Sequence, residues 1–190
     1  MSEFIFITGG RRSGKSSYAL ELAESLGTKC LYIATAEAYD EEMEARIVRH
    51  KEERGDSWET AEEPYHVADL LRDSSKYDVI LVDCLTLWLC NVMHEELIPS
   101  TLMGEGQGGG EKMSDEEYIL EKIDDLTLSC RESHAIVIVV TNELGLGVIP
   151  DNTLSRQFTD LAGIMNQRMA AAADRVVLTV SGIPMIIKGA

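Results

Sequence analysis

A chain of 190 residues that is 45% hydrophobic, with a mean hydropathy near zero, predicts a single globular domain spanning 1–190 with an ordinary buried core. Its 17 Lys and Arg against 33 Asp and Glu leave a formal charge of −16, a field that repels phosphate backbones and argues against nucleic acid as a partner. No apolar run is long enough to cross a bilayer, and Cys30, Cys84, Cys90 and Cys130 show neither C-x-x-C pairing nor metal-ligand spacing. Reduced, mostly buried thiols in a cytoplasmic protein are the expectation.

The chain opens on Phe4–Thr8, an apolar strand with no basic signal-peptide start before it. It runs directly into Gly9-Gly10-Arg11-Arg12-Ser13-Gly14-Lys15-Ser16 and then a helical pattern over Ser16–Leu26. G-x-x-x-x-G-K-[ST] between a strand and a helix is a phosphate-binding P-loop. Its glycines let backbone N–H groups turn inward around phosphate oxygens, Lys15 reaches the β and γ phosphates, and the Ser16 hydroxyl ligates Mg²⁺. A second strand is expected at Cys30–Ala34.

Asp40–Arg54 reads as a helix on which Arg46, Arg49, His50, Lys51 and Arg54 gather against the chain's negative background. Arg46, His50 and Arg54 recur at i, i+4, i+8 and share one face. Neighbouring cations disfavour imidazolium and offset charge building on an attacked phosphate, as a nucleophilic histidine requires. A solvated charged face with an incidental histidine, helped by Glu41, Glu42, Glu44, Glu52 and Glu53, is the simpler explanation of the spacing alone. Trp58–Pro64 follows as a short strand or loop with Trp58 in the core, and Glu62 or Glu63 offers the carboxylate that selects guanine over adenine.

Val79–Val82 is a buried strand ending in Asp83, placed either to anchor Mg²⁺ at the sheet edge or to cap the helix expected at Leu85–Glu96. Between Pro99 and Ser114 the chain holds five glycines in Gly104–Gly110, which predicts a mobile surface insertion near 99–114 rather than a second cradle. Helices at Asp115–Glu132 and Thr153–Ala173 alternate with a strand at Ala135–Thr141, and Val176–Val180 and Met185–Ile187 form a terminal hairpin. Alternating strands and helices predict an α/β fold, a mainly parallel sheet flanked by helices with an antiparallel edge hairpin at the C-terminus. Asn142, Glu143, Arg156 and Asp160 follow or flank the later sheet strands and either line an acceptor cleft or make helix caps and turns.

Taken together, Gly9–Ser16, Tyr32-Ile33-Ala34-Thr35, Arg46-Ile47 with His50 and Arg54, Trp58 with Thr60 and Glu62, and Asp83–Trp88 with Asn91 resemble the adenosylcobinamide kinase / adenosylcobinamide-phosphate guanylyltransferase family. The resemblance continues through Thr141-Asn142-Glu143, Gly147–Pro150, Arg156, Phe158, Asp160, Gly163, Asn166-Gln167 and Ala170–Asp174, nearly the whole chain. It implies a RecA-like P-loop fold, phosphorylation of adenosylcobinamide by ATP or GTP, and then transfer of GMP from GTP through a covalent GMP-histidine at His50. Implied nucleotide contacts are Gly9, Gly10, Arg11, Arg12, Ser13, Gly14, Lys15, Ser16, Ala34, Thr35, Ala36, Lys51, Glu52, Glu53, Arg54, Glu62 and Asp83, with Ser16 and Asp83 on the metal, and a trimer is implied by the same resemblance. Arg11 stands where the family commonly has a small residue, and the glycine insertion bears on the rim of the corrinoid site. Two other readings stay open: a small-molecule P-loop kinase without nucleotidyl transfer, and a RecA-like ATP-binding module with the basic helix as a docking surface.

Overall fold

The computed structural model describes residues 2–37, 58–97 and 114–189. Their elements run β1 Phe4–Gly9, α1 Lys15–Leu26, β2 Cys30–Ala34, β3 Trp58–Glu62, α2 Val67–Arg72, β4 Val79–Asp83, α3 Leu85–Leu97, α4 Asp115–Glu132, β5 Ile136–Val140, α5 Thr153–Ala172, β6 Arg175–Val180 and β7 Ile183–Lys188. The seven strands form one sheet in the order β3-β2-β4-β5-β1-β6-β7, parallel except for the β6–β7 pair. The mainly parallel sheet and its antiparallel edge hairpin are therefore as expected, and the segment Asp40–Arg54, expected as a helix, and the glycine-rich insertion lie outside the described residues.

Parallel strands buried on both faces explain the unbroken apolar runs of β1, β4 and β5, and side-chain alternation divides each run between two cores. Phe4, Phe6, Ile80, Val82, Val137 and Val139 face the helices α2 to α5, while Ile5, Ile7, Val79, Leu81, Ile138 and Val140 face α1. Each fully buried Ile or Leu here contributes roughly 1.5–3 kcal/mol relative to leaving it in water. The helix termini are secured locally. Ser114 and Glu117 form a reciprocal capping box at α4, and Asn152 Oδ1 accepts the Ser155 amide 2.7 Å away at α5.

The sheet places one strand, β5, between the strand that feeds the P-loop and the strand that ends in Asp83. The C-terminal edge of the sheet thus presents the ends of β1, β5 and β4 side by side. On the other flank of β1, the two-residue Ser181-Gly182 turn joins β6 to β7 with both residues at positive φ, 51° and 83°, the twist that suits a tight hairpin. That turn leans on the P-loop, where the Gly182 amide donates to the Ser13 carbonyl at 2.9 Å.

Candidate active site

The P-loop closes on itself before anything else touches it. Ser13 N–H donates to Gly10 O at 3.2 Å, and α1 starts from Gly14, whose φ of 91° is the left-handed region that glycine enters without penalty. At Gly9, φ is 157° and an added Cβ would stand 2.4 Å from the Thr179 carbonyl oxygen of the neighbouring strand. The glycines of the motif are thus fixed by backbone geometry and by the strand packed beside them. Arg12 sits at φ 57°, and Arg11 and Arg12 are both exposed.

Lys15 is buried at 7% exposure, which is unusual for an ammonium and requires partners. Its Nζ donates to the Gly10 carbonyl at 2.7 Å and to Asn142 Oδ1 at 2.9 Å, with Ser13 Oγ at 3.5 Å. Asn142 lies just past β5, the interposed strand. Ser16, one residue into α1, is half-buried at the same edge.

Asp83 closes β4, and its Oδ2 accepts from the Tyr32 hydroxyl at 2.9 Å. Tyr32 in turn packs edge-on against Trp58, whose ring is buried as expected. The Asp83–Cys84 peptide is cis. Thr35 ties this corner together: its hydroxyl donates to Cys84 O and accepts from Cys84 N–H, its amide donates to Asp83 O, and its carbonyl accepts from Asn91. The side chain of Thr35 is therefore committed to holding β2 against β4, with Ala34 and Ala36 on either side of it.

Of the two candidate guanine-reading carboxylates, Glu63 is engaged within the fold. Its Oε1 accepts the amides of Tyr65 and His66 at 2.9 and 2.8 Å and so closes the turn leading into α2. Glu62 ends the edge strand β3 and is exposed. The polar residues considered for an acceptor cleft separate in the same way. Arg156 donates to Pro150 O, Asp151 O and Thr153 Oγ1 at the start of its own helix, whereas Asn142 turns to Lys15. Asp160 borders a cavity of about 260 Å³ between α3, α4 and α5, together with Met93, Glu116, Ile119 and Leu154. A second cavity, about 470 Å³, lies at the opposite edge of the sheet among Gly27, Thr28, Asp78 and Ile136.

Burial pushes the Cys30 and Cys130 thiols up, so neither supplies a thiolate near neutral pH. No disulfide is present, and Cys84 is buried with them while Cys90 is exposed. No described helix is long and apolar enough to cross a membrane. His50, Lys51, Glu52, Glu53 and Arg54 fall outside the described residues.

A glycine loop closed before a helix, a buried lysine at its mouth and an acid at the end of a nearby parallel strand define a P-loop nucleotide-binding protein. The family model described as cobinamide kinase / cobinamide phosphate guanyltransferase matches residues 5–187, and the chain belongs to that family. It is 42% identical to the bifunctional adenosylcobalamin biosynthesis protein CobU of Salmonella typhimurium, over 97% of this chain and 99% of the relative. Identity to CobU of Escherichia coli is 38% over 97% and 99% of the two chains, and to CobP of Pseudomonas aeruginosa 42% over 96% of each.

Proposed function

We propose that this enzyme phosphorylates adenosylcobinamide with ATP or GTP and then transfers GMP from GTP to the new phosphate, giving adenosylcobinamide-GDP for cobalamin assembly in the cytoplasm. The observation that carries the proposal is the buried Lys15 held at the mouth of the P-loop in a chain that belongs to the family over 5–187. The described residues offer one such cradle, and both reactions draw their nucleotide from it.

Ser16 and Asp83 are the groups that would hold Mg²⁺. Among the described residues no cluster of three or more His, Cys, Asp or Glu is placed to hold a metal. One hydroxyl and one carboxylate suit a cation that arrives with the phosphates and keeps most of its other ligands from phosphate and water. When bound, the ion offsets negative charge on the phosphate oxygens. Lys15 supplies the same service from the protein side, and the backbone N–H groups of Gly10–Lys15 orient the phosphate chain.

In the first reaction the substrate hydroxyl attacks the γ-phosphorus of ATP or GTP, the bond to the β–γ bridging oxygen breaks, ADP or GDP leaves with its electron pair, and the hydroxyl proton passes to solvent. In the second, the neutral imidazole of His50 attacks the α-phosphorus of GTP, the bond to the bridging oxygen breaks, and pyrophosphate leaves with its electron pair. A phosphate oxygen of adenosylcobinamide phosphate then attacks the same phosphorus, the P–N bond breaks, and the imidazole is regenerated. Arg46 and Arg54, four residues to either side of His50 in the sequence, would offset the charge that builds on phosphorus. Glu62 is assigned to guanine N1–H and N2–H₂ on the family resemblance. Lys51, Glu52, Glu53, Ala34 and Ala36 complete the proposed nucleotide shell.

Self-association into a trimer is part of the same proposal. It is supported by β7, an edge strand whose Ile183, Met185, Ile186 and Ile187 are all more than half exposed. Light scattering of the purified chain measures the state directly.

The defining test is incubation of wild type and His50→Asn with α-labelled GTP, followed by peptide mapping at alkaline pH, where a phosphoramidate survives. Wild type is expected to carry GMP on His50, and the variant is expected to lose both the adduct and the guanylylated product while retaining kinase turnover. A GMP adduct on Lys51, or unimpaired guanylyl transfer by the variant, defeats the assignment.

A further inference from the structure

Asn142 is held by a closed set of hydrogen bonds that leaves its amide one orientation. Its backbone N–H and its Nδ2 both donate to Thr86 Oγ1, at 2.8 and 3.2 Å. With two donors converging on that oxygen, the Thr86 proton goes to Thr141 Oγ1 at 3.3 Å. The Thr141 proton goes on to Asn166 Oδ1 at 3.1 Å, and Asn166 Nδ2 returns to the Asn142 carbonyl at 3.2 Å. Thr86, Thr141 and Asn166 are buried at 9%, 0% and 7% exposure, so no bulk water is at hand to replace a lost partner.

Turning the Asn142 amide over would set Nδ2 against the Lys15 ammonium, and set Oδ1 against a threonine oxygen whose proton is already committed. Both contacts would be repulsive. The ring thus presents a carbonyl oxygen, and no hydrogen, to the lysine. The choice of an amide also has a chemical consequence. A neutral acceptor holds an ammonium without cancelling its charge, whereas a carboxylate in the same place would compete with the nucleotide for it.

We propose that Asn142 is a positioning residue for the nucleotide phosphates, holding Lys15 extended at the P-loop and yielding it to a phosphate oxygen on binding. Thr86, Thr141 and Asn166 act through it by fixing the amide. The proposal rests on the assignment of Gly9–Ser16 as the nucleotide cradle.

The test is Asn142→Asp in the full chain, with GTP and guanosine binding measured between pH 5 and 8. At pH 8 the dissociation constant for GTP is expected to rise about tenfold or more, and that for guanosine to stay level. The loss should persist down to pH 5, because a carboxylate paired with the Lys15 ammonium stays ionised throughout that range, and its restriction to the phosphate-bearing ligand is what a merely structural defect would not produce. Thr86→Val, which lets the amide turn, should weaken GTP binding in the same phosphate-dependent way, and Thr86→Ser should restore it. GTP affinity of Asn142→Asp within about twofold of wild type at pH 8, or equal losses for GTP and guanosine at every pH, overturns the proposal. If that variant does not fold, the threonine pair decides, and identical GTP affinity in Thr86→Val, Thr86→Ser and wild type overturns it. Lys15→Ala is measured alongside. Unchanged GTP affinity there removes the cradle assignment and this proposal with it, while weakened binding there with no effect at Asn142 removes this proposal alone.

Discussion

The two ends of β4 each carry an aspartate, and the two have opposite surroundings. Asp78 precedes the strand at the N-terminal edge of the sheet, where its Oδ2 accepts the amides of Thr28 and Lys29, each at 3.0 Å, and the Thr28 hydroxyl at 3.2 Å. The Lys29 amide, with that of Thr28 next, holds its carboxyl below the usual range. Asp83 ends the same strand five residues later and takes a side-chain hydroxyl from Tyr32 instead. Backbone donors at a strand start are spent on the fold and stay where they are. A side-chain hydroxyl, by contrast, can rotate to another partner without disturbing the strand. Residue type does not separate the two aspartates; the end of the strand each occupies and the kind of donor it meets there do.

The largest expected effect belongs to the C-terminal edge. Lys15→Ala removes the cation proposed to serve both reactions, and kinase and guanylyl-transfer rates should fall together by about a hundredfold or more. Steady-state assays of the two activities on one preparation check this, and survival of either near the wild-type rate would require a second nucleotide site. Asp83→Asn comes next. It keeps a partner for the Tyr32 hydroxyl but removes the charge, so the Mg²⁺ requirement should rise and both rates should drop about tenfold or more with little change in melting temperature. A Mg²⁺ titration of the rates, set beside a melting curve, reads the two quantities separately. A large fall in melting temperature with normal Mg²⁺ dependence would move Asp83 into the same class as Asp78.

How much of this was legible in the sequence follows from the range of each interaction. The P-loop is a local pattern, and β1 and α1 were readable to within a residue or so because strand, glycine turn and helix are contiguous. The apolar runs gave β2, β4, β5, β6 and β7 in the same way, and α5 stops at Ala172, one residue before the expected end. The short helix α2 escaped because six residues hold too little periodicity to register. Its visible signals were Val67 and Leu71 at i and i+4, and Glu63 placed to accept the Tyr65 and His66 amides. Strand order was not legible at all, and the site's side-chain contacts depend on it. Lys15 meets Asn142 across 127 residues because β5 pairs with β1, and Tyr32 meets Asp83 across 51 because β2 pairs with β4. A sequence reading can name Asn142 as polar and near a strand end, but cannot give its amide a direction. The role proposed for His50 rests on sequence spacing and family resemblance, since His50 lies outside the described residues.

The smallest expected effect belongs to the N-terminal edge, and it is a change in stability alone. Asp78→Asn keeps the size and one acceptor oxygen but loses the charge that the amides of Lys29 and Thr28 favour. Both activities should remain at the wild-type level, because the 470 Å³ cavity beside Asp78 lies at the edge away from Lys15. The pH dependence has a definite sign. The folded carboxyl has a lower pKa than the same group in the unfolded chain, so its stabilisation is fully present above the ordinary value of 3.8. It is lost as pH falls through the depressed folded value. Melting temperatures of wild type and Asp78→Asn should therefore differ most from neutral pH down to about 5 and converge below about 3.8. A gap that persists undiminished into that acid range would show that shape rather than charge holds Thr28 and Lys29. A loss of activity in the variant at neutral pH would show that the two ends of β4 are coupled through the strand.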